Sequence, residues 1–344
     1  MNRVGIINVT GYAGVELARI LSRHPEVNLT SVTGRSAAGQ MLGDVFPHLA
    51  YTGLKITEEL DTVDVVFSAL DHKVSAERCL PYVHAGIPVI DMSADFRLKD
   101  VKEYEQWYKV QHPEPARLAD AVYGLTELHK DELRKARLVA NPGCYPTGAV
   151  LALAPAVKAG LITGDIIVDS KSGVSGAGRG LSLTTHFSEV NESVSAYALD
   201  GHRHYPEIGQ ELQRMSPAAH LAITFLPHLI PMTRGILSSC YAPLAEGKVS
   251  GDGAARGEVY EVYHDFYKDD PFVKVVNAPP ATKHTLGNND CLIYPTVDPR
   301  TRRMIVISVI DNLVKGAAGA AVQNMNLMLG FPETTGLEAP ALYP

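Results

Sequence analysis

Basic runs, long apolar stretches and paired cysteines are all missing from this sequence, and each absence excludes a class of function. Lys and Arg number 31 against 38 Asp and Glu, a net charge of −7 over 344 residues. No basic cluster gives the electrostatic footprint of a nucleic-acid binder. An anionic partner must therefore meet its positive charge in a local site. The longest apolar runs, residues 149–157 and 304–310, are too short to span a bilayer. Met1 leads directly into a strand pattern rather than an apolar leader with a cleavage site, so a soluble, cytoplasmic protein without a membrane partner is expected. The four cysteines, Cys79, Cys144, Cys240 and Cys291, are scattered. With no C-x-x-C pair and no histidine at ligand spacing, neither a disulfide framework nor a metal site is expected.

What is present is an alternation of strand and helix over the first 140 residues. Apolar, mostly β-branched strand patterns lie at 3–9, 28–33, 63–69, 87–92 and 138–141, with helical spacing over 12–22 and 73–84. Such alternation predicts βαβ units and an open, doubly wound parallel sheet. From about residue 165 the pattern changes to strands at 166–170, 222–226, 235–241, 272–276, 290–294 and 303–310. Helices are fewer, at 204–215 and 254–267. That predicts an α+β second domain with a mixed sheet. The Tyr260, Tyr263, Phe266 and Tyr267 stripe reads as core or subunit contact. Residues 248–253 read as an exposed turn. Residues 314–329 read as an amphipathic helix with Val314, Ala318, Ala321, Met325 and Leu329 on one face.

The first strand–turn–helix junction is Asn8-Val9-Thr10-Gly11-Tyr12-Ala13-Gly14. Gly11 and Gly14 have the spacing of a dinucleotide-binding turn, in which glycine lets the backbone approach a pyrophosphate at a helix N-terminus. Thr10, Gly11, Tyr12, Ala13 and Gly14 are thus candidate cofactor contacts. Asn8 stands in the place of the first glycine and tolerates left-handed backbone. The second strand ends in Thr33-Gly34-Arg35-Ser36, without the acid that accepts from the ribose hydroxyls of NAD. Arg35 and Ser36 suit a 2′-phosphate, which points to NADP. The fold class is therefore α/β, a Rossmann-type NADP domain followed by an α+β domain.

Among the cysteines only Cys144 has a distinctive setting, Asn141-Pro142-Gly143-Cys144-Tyr145-Pro146-Thr147, between a strand and a helical run. A thiol at a helix start meets the positive dipole end, which favours the nucleophilic thiolate. A proton-transfer partner is available in Gly201-His202-Arg203-His204, two histidines around a fixed cation. The stretch Lys171-Ser172-Gly173-Val174-Ser175-Gly176-Ala177-Gly178-Arg179 reads either as an anion cradle or as a flexible surface loop.

Together these motifs resemble the N-acetyl-γ-glutamyl-phosphate reductases, NADP-dependent enzymes of arginine biosynthesis, over nearly the whole chain. The resemblance also rests on Asp91-Met92-Ser93-Ala94-Asp95-Phe96-Arg97, Pro231-Met232-Thr233-Arg234-Gly235 and Asp311-Asn312-Leu313-Val314-Lys315-Gly316-Ala317-Ala318-Gly319. It implies Cys144 as the acylated thiol and His202, or alternatively His204, as general acid/base. Arg97, Asn141, Ser172, Gly173, Arg179 and Arg234 are implied at the substrate carboxylate or phosphate. Ser68 and Asn312 are implied at the cofactor, with no metal. The implied domains are 1–145 for NADP, completed by 314–344, and a catalytic and dimerisation domain over 146–313. The implied substrate is a small acyl phosphate, and the implied assembly a homodimer or homotetramer. Reductases of aspartyl phosphate or of a carrier-bound aminoadipyl phosphate are the nearest alternatives. A non-catalytic NADP-binding sensor is a further one, which the intact Cys144 and His-Arg-His cluster disfavour.

Overall fold

The computed structural model describes residues 1–217, 220–250 and 254–344. They form two compact units, Met1–Gly143 with Ala317–Ala339, and Cys144–Gly316 with Pro340–Pro344.

In the first unit the strands are β1 (Asn2–Ile7), β2 (Val27–Thr33), β3 (Ile56–Thr57), β4 (Val65–Ser68), β5 (Val89–Asp91), β6 (Val122–Tyr123) and β7 (Leu138–Ala140). They make one sheet in the order β3-β2-β1-β4-β5-β7-β6, and every neighbouring pair is parallel. Parallel strands are covered on both faces. Val4, Ile6, Val66, Phe67, Val89 and Ile90 are accordingly inaccessible to solvent. The chain runs outward through β2 and β3, then returns to place β4 on the other side of β1. The carboxyl ends at such a reversal are where open α/β sheets bind ligands. The sequence-predicted strands agree with these bounds to within two residues. Only β3 and β6 escape prediction, being two residues long.

The C-terminal helix corrects its expectation. Val314–Ala318 winds as a π-helical turn and Gly319–Met328 continues as an α-helix. Every residue from Gly319 to Leu327 is buried, so no polar face meets water. The polar side chains are instead satisfied inside the unit. Asn324 Nδ2 donates to Gly124 O at 2.8 Å and to Asn141 Oδ1 at 3.1 Å, while Thr126 Oγ1 donates to Asn324 Oδ1 at 2.9 Å. Asn326 Nδ2 donates to Thr335 O at 2.8 Å.

The second unit holds β8 (Asp165–Gly173), β9 (Ser195–Ala196), β10 (Ala222–Ile230), β11 (Ile236–Pro243), β12 (Val273–Val275), β13 (Cys291–Asp298) and β14 (Arg303–Ile310). Their order is β12-β13-β14-β11-β8-β10-β9. The β8/β10 and β12/β13 pairs are parallel and the others antiparallel, a mixed sheet as expected. The helix Cys144–Lys158, buried from Tyr145 to Val157, covers one face. There Ser308 Oγ donates to Gly148 O at 2.9 Å. The helix Ala255–Tyr267 docks on it through the buried Tyr263 and Tyr267 of its aromatic stripe. Tyr263 OH donates to Ala152 O at 2.7 Å and Tyr267 OH to Leu151 O at 2.6 Å. The other face carries Ile167, Leu237, Tyr241, Tyr294, Ile305 and Ile307 in register, none of them fully buried. The last residues, Pro340–Pro344, belong to this unit, where Leu342 N donates to Leu286 O at 2.8 Å. Of the turn expected at 248–253, residues 251–253 lie outside the described residues.

Candidate active site

Cys144 is the first residue of a 15-residue helix and the one cysteine that is not buried. Peptide dipoles leave positive character at such a helix start. The other three thiols are in a different state. Burial pushes Cys79 well above the ordinary thiol range and Cys240 up to about 12, and Cys291 has no solvent exposure. Thiolate chemistry is thus concentrated at one position.

Around that position stands an aromatic cage. Tyr145, next to the thiol, donates its hydroxyl to His228 O at 3.3 Å and accepts from Tyr197 OH at 3.0 Å. Burial raises both phenols, Tyr197 to about 12, so they remain protonated donors. The His202 ring lies edge-on to Tyr145, Tyr197 and Phe225, with centroids 5.6, 5.5 and 5.4 Å away, and His204 at 4.8 Å. Burial, reinforced by the Arg203 charge, lowers His202 to about 4. The ring is therefore neutral at physiological pH. Its Nδ1 accepts the His204 backbone N–H at 3.0 Å, which leaves the single ring proton on Nε2. His202 presents an N–H donor.

A second group of residues builds the loop after β8. Gly173 N, Val174 N and Ser175 N donate to Gly235 O, Met232 O and Thr233 O, strapping this loop to the Pro231–Gly235 segment. A Cβ on Gly173 would stand 2.7 Å from Thr233 O, so only glycine fits the strap. Asn312 closes it: Nδ2 donates to Ser175 Oγ at 2.9 Å and Oδ1 accepts from Gly235 N at 2.7 Å. Buried Asp311 accepts from Gly287 N and Leu313 N at 2.8 Å, and Arg234 Nη1 is 3.5 Å from its Oδ2. Gly316 lies against the thiol residue, and a Cβ there would be 2.9 Å from Cys144 Cβ.

In the first unit, a cleft of about 620 Å³ opens at the carboxyl ends of β1, β2 and β4, lined by Asn8, Gly34, Arg35, Glu58, Glu59 and Arg78 among others. Asn8 adopts φ +68°, the left-handed backbone that the missing glycine would supply. Its side chain locks the turn, with Nδ2 donating to Ala69 O at 2.9 Å and Oδ1 accepting from Thr10 Oγ1 at 3.2 Å. A Cβ on Gly14 would come 2.3 Å from Asn8 O, so helix and strand pack as closely as a dinucleotide turn requires. Glycine at 11, glycine at 14 and Arg35 beyond an acid-free strand end fit a 2′-phosphorylated dinucleotide.

Known proteins match along the whole chain. The description "Semialdehyde dehydrogenase, NAD binding domain" fits residues 3–136, and "Semialdehyde dehydrogenase, dimerisation domain" fits 144–312. An N-acetyl-gamma-glutamyl-phosphate reductase of Dehalococcoides mccartyi is 56% identical over 343 residues, covering 99% of both chains. One of Pelotomaculum thermopropionicum is 53% identical over 351 residues, with the same coverage. The chain belongs to the N-acetyl-gamma-glutamyl-phosphate reductase family of semialdehyde dehydrogenases. Among solved structures, aspartate semialdehyde dehydrogenase II of Vibrio cholerae superposes with a TM-score of 0.73 at 16% identity, covering 96% of this chain and 98% of that one. The Candida albicans enzyme, crystallised with NADP, gives 0.69 at 15%, with the same coverage. At such identities the likeness is one of fold.

Within this family frame the structure sorts the remaining expected residues. Cys144, His202, His204, Ser172, Gly173, Arg179, Arg234 and Asn312 all lie in the second unit. Arg179 is exposed beyond the strap, and Ser172 is buried with its hydroxyl donating to Gly173 O at 2.9 Å. Arg97 and Asn141 lie in the first unit. Arg97 is buried and donates through Nε to Asn141 O at 2.7 Å and through Nη2 to Met92 O at 2.8 Å, holding the chain segment that leads to Cys144. Ser68 turns away from the cleft toward Ser75 Oγ at 2.7 Å, beside Asp91, whose carboxyl burial raises to about 6. Arg35 and Ser36 are exposed on a short turn after β2. Tyr197, Asp311, Gly316, Glu59 and Arg78 were not singled out from the sequence. The only prior signal was for Asp311 and Gly316, through their place in the Asp311–Gly319 motif. Among the described residues, no group of three or more His, Cys, Asp or Glu could hold a metal ion, and no helix is long and apolar enough to cross a membrane.

Proposed function

We propose that this protein reduces N-acetyl-L-glutamyl 5-phosphate to N-acetyl-L-glutamate 5-semialdehyde and phosphate, using NADPH and a thioester on Cys144. The observation that carries the reading is one partly exposed thiol at a helix start, in a chain more than half identical to reductases of that name. The Cys144 thiolate attacks the acyl carbon, and the C–O bond to phosphate breaks, the phosphate leaving with the electron pair and taking up a proton. The Asn8–Gly14 turn and Arg35 would hold NADPH, which would supply the hydride needed at the thioester carbon. The neutral His202 Nε2–H donates to the oxyanion of each tetrahedral intermediate. Collapse of the second one expels the Cys144 thiolate and releases the aldehyde. Arg234 and Arg179 supply the positive end for carboxylate or phosphate.

The first unit then serves as the cofactor domain and the second as the catalytic one. The apolar open face of the mixed sheet, with the exposed Leu181, Leu183, Phe187, Val194 and Leu199, suits a second copy of the chain. This supports a homodimer or homotetramer. A biosynthetic reductase of this kind works in the cytoplasm.

The test is the phosphate-dependent reduction of NADP⁺ by N-acetylglutamate semialdehyde and by aspartate semialdehyde, for wild type and Cys144→Ser. The acetylated substrate is expected to win and the Ser variant to lose at least about 10³-fold, as nucleophile removal does. Preference for aspartate semialdehyde would assign the aspartyl-phosphate reaction instead. Retained turnover in Cys144→Ser would remove the covalent step.

A further inference from the structure

We propose that NADPH is distinguished from NADH in this protein by an exchange of ion pairs, in which Arg78 leaves Glu59 for the 2′-phosphate. The proposal rests on the reading that the first-unit cleft binds NADPH.

Three strand ends meet in this cleft. After β2 come Gly34 and Arg35, after β3 come Glu58 and Glu59, and the first turns of the helix Ser75–His84, which follows β4, bring Arg78. The usual acid at the end of β2 is missing, but acids arrive from the neighbouring strand. Thr57 Oγ1 donates to Glu59 O at 2.7 Å, fixing the backbone there. The Glu59 side chain grips Arg78 with both oxygens, Nη2 donating at 2.7 and 2.8 Å. Arg35 makes no ion pair among the described residues.

The charges decide what such a cleft accepts. Arg35 and Arg78 face Glu58, Glu59 and Asp71 on the same lining, so with Arg78 neutralised the field on an anion is unfavourable. The pair is poised to open: the Arg78 side chain is 35% exposed and that of Glu59 68%. Exposed pairs of this kind are weak. A phosphate carrying close to two charges outbids a carboxylate for the same guanidinium fork. A bare 2′-hydroxyl offers Arg78 nothing to leave Glu59 for. Arg78 is thus a specificity-determining cation alongside Arg35, and Glu59 is the competitor that raises the threshold for anions.

Dissociation constants of NADPH, NADH and 2′,5′-ADP, from fluorescence or calorimetric titration of the full chain, test the exchange without turnover. Arg78→Gln is expected to weaken NADPH and 2′,5′-ADP about tenfold, the low end for a hydrogen bond to a charged group, and to leave NADH within twofold. Glu59→Gln is expected to tighten NADPH about two- to fivefold, the worth of an exposed pair, again sparing NADH. Thermal melts confirm folding of both variants. Equal loss of both cofactors in Arg78→Gln, or NADPH binding unmoved in either variant, would overturn the proposal while leaving the cofactor reading intact. Wild type that binds NADPH no better than NADH would overturn both.

Discussion

Replacing Gly316 with Ala places a methyl group 2.9 Å from Cys144 Cβ, 3.2 Å from Cys144 Cα and 3.3 Å from Ile310 Cδ1. Carbon atoms rest about 3.5–4.0 Å apart, so at least about 0.6 Å must be found on one side of the contact. Ile310 is fully buried and paired in β14, and it gives little. Cys144, partly exposed at the first turn of its helix, gives more, and the strain goes into the reacting sulfur's position. Overpacking of this size costs about 1–3 kcal/mol of stability, and a displacement on the order of 1 Å at a reacting group costs about 10²-fold in rate. The assays are kcat for phosphate-dependent NADP⁺ reduction, the rate of Cys144 alkylation by iodoacetamide, and the melting temperature. Expected are a 10- to 100-fold fall in kcat, an altered alkylation rate and a melting point lower by several degrees. Gly257→Ala is the control, since a Cβ there meets nothing within 4 Å. It gains up to about 0.5–1 kcal/mol from helix propensity. A Gly316→Ala enzyme with normal kcat and alkylation, but a lowered melting point, would refute the account: the clash would then be relieved away from the thiol.

Gly14→Ala drives a Cβ to 2.3 Å from Asn8 O and 2.8 Å from Val9 Cα, both backbone atoms, so NADPH binding measured by titration should weaken at least about tenfold, with a stability loss of about 1–3 kcal/mol. His202 titrates near 4 in the folded protein and near 6.5 when unfolded. Between these values the unfolded chain binds the extra proton, and stability falls as pH falls. His202→Gln should flatten the melting-temperature curve between pH 4 and 6.5, and an unchanged slope would show that His202 is not buried neutral. Asn324→Ala leaves Gly124 O and Thr126 Oγ1 without the partners they have now. It should cost about 2–4 kcal/mol in denaturant unfolding, where a surface site would cost under about 0.5 kcal/mol.

The sequence makes legible what depends on neighbours along the chain and hides what depends on neighbours in space. Gly11, Gly14 and Cys144 announce themselves because a strand–turn–helix junction is a local event, and its dipole and backbone requirements are local too. Asn8 shows how far local reading extends: its left-handed backbone follows from residue type, but the Ala69 carbonyl that pins its side chain comes from another strand. Arg97 marks the boundary. The family resemblance assigns its guanidinium to an anion, yet the same planar donors suit backbone carbonyls equally well. Here the structure spends Nε and Nη2 on Asn141 O and Met92 O. Residue chemistry names the donor and leaves the acceptor to the fold. The helix expected at 314–329 is present, but its expected polar face is not, for a related reason. A 3.6-residue period assigns polar side chains to water, whereas Asn324 and Asn326 find buried carbonyls at Gly124 and Thr335. Gly316 is the strongest case, because in sequence it is one of several small residues in a helical run. Only its approach to Cys144 separates it from Gly319, and that approach exists only once β14 and the helix Cys144–Lys158 have packed together.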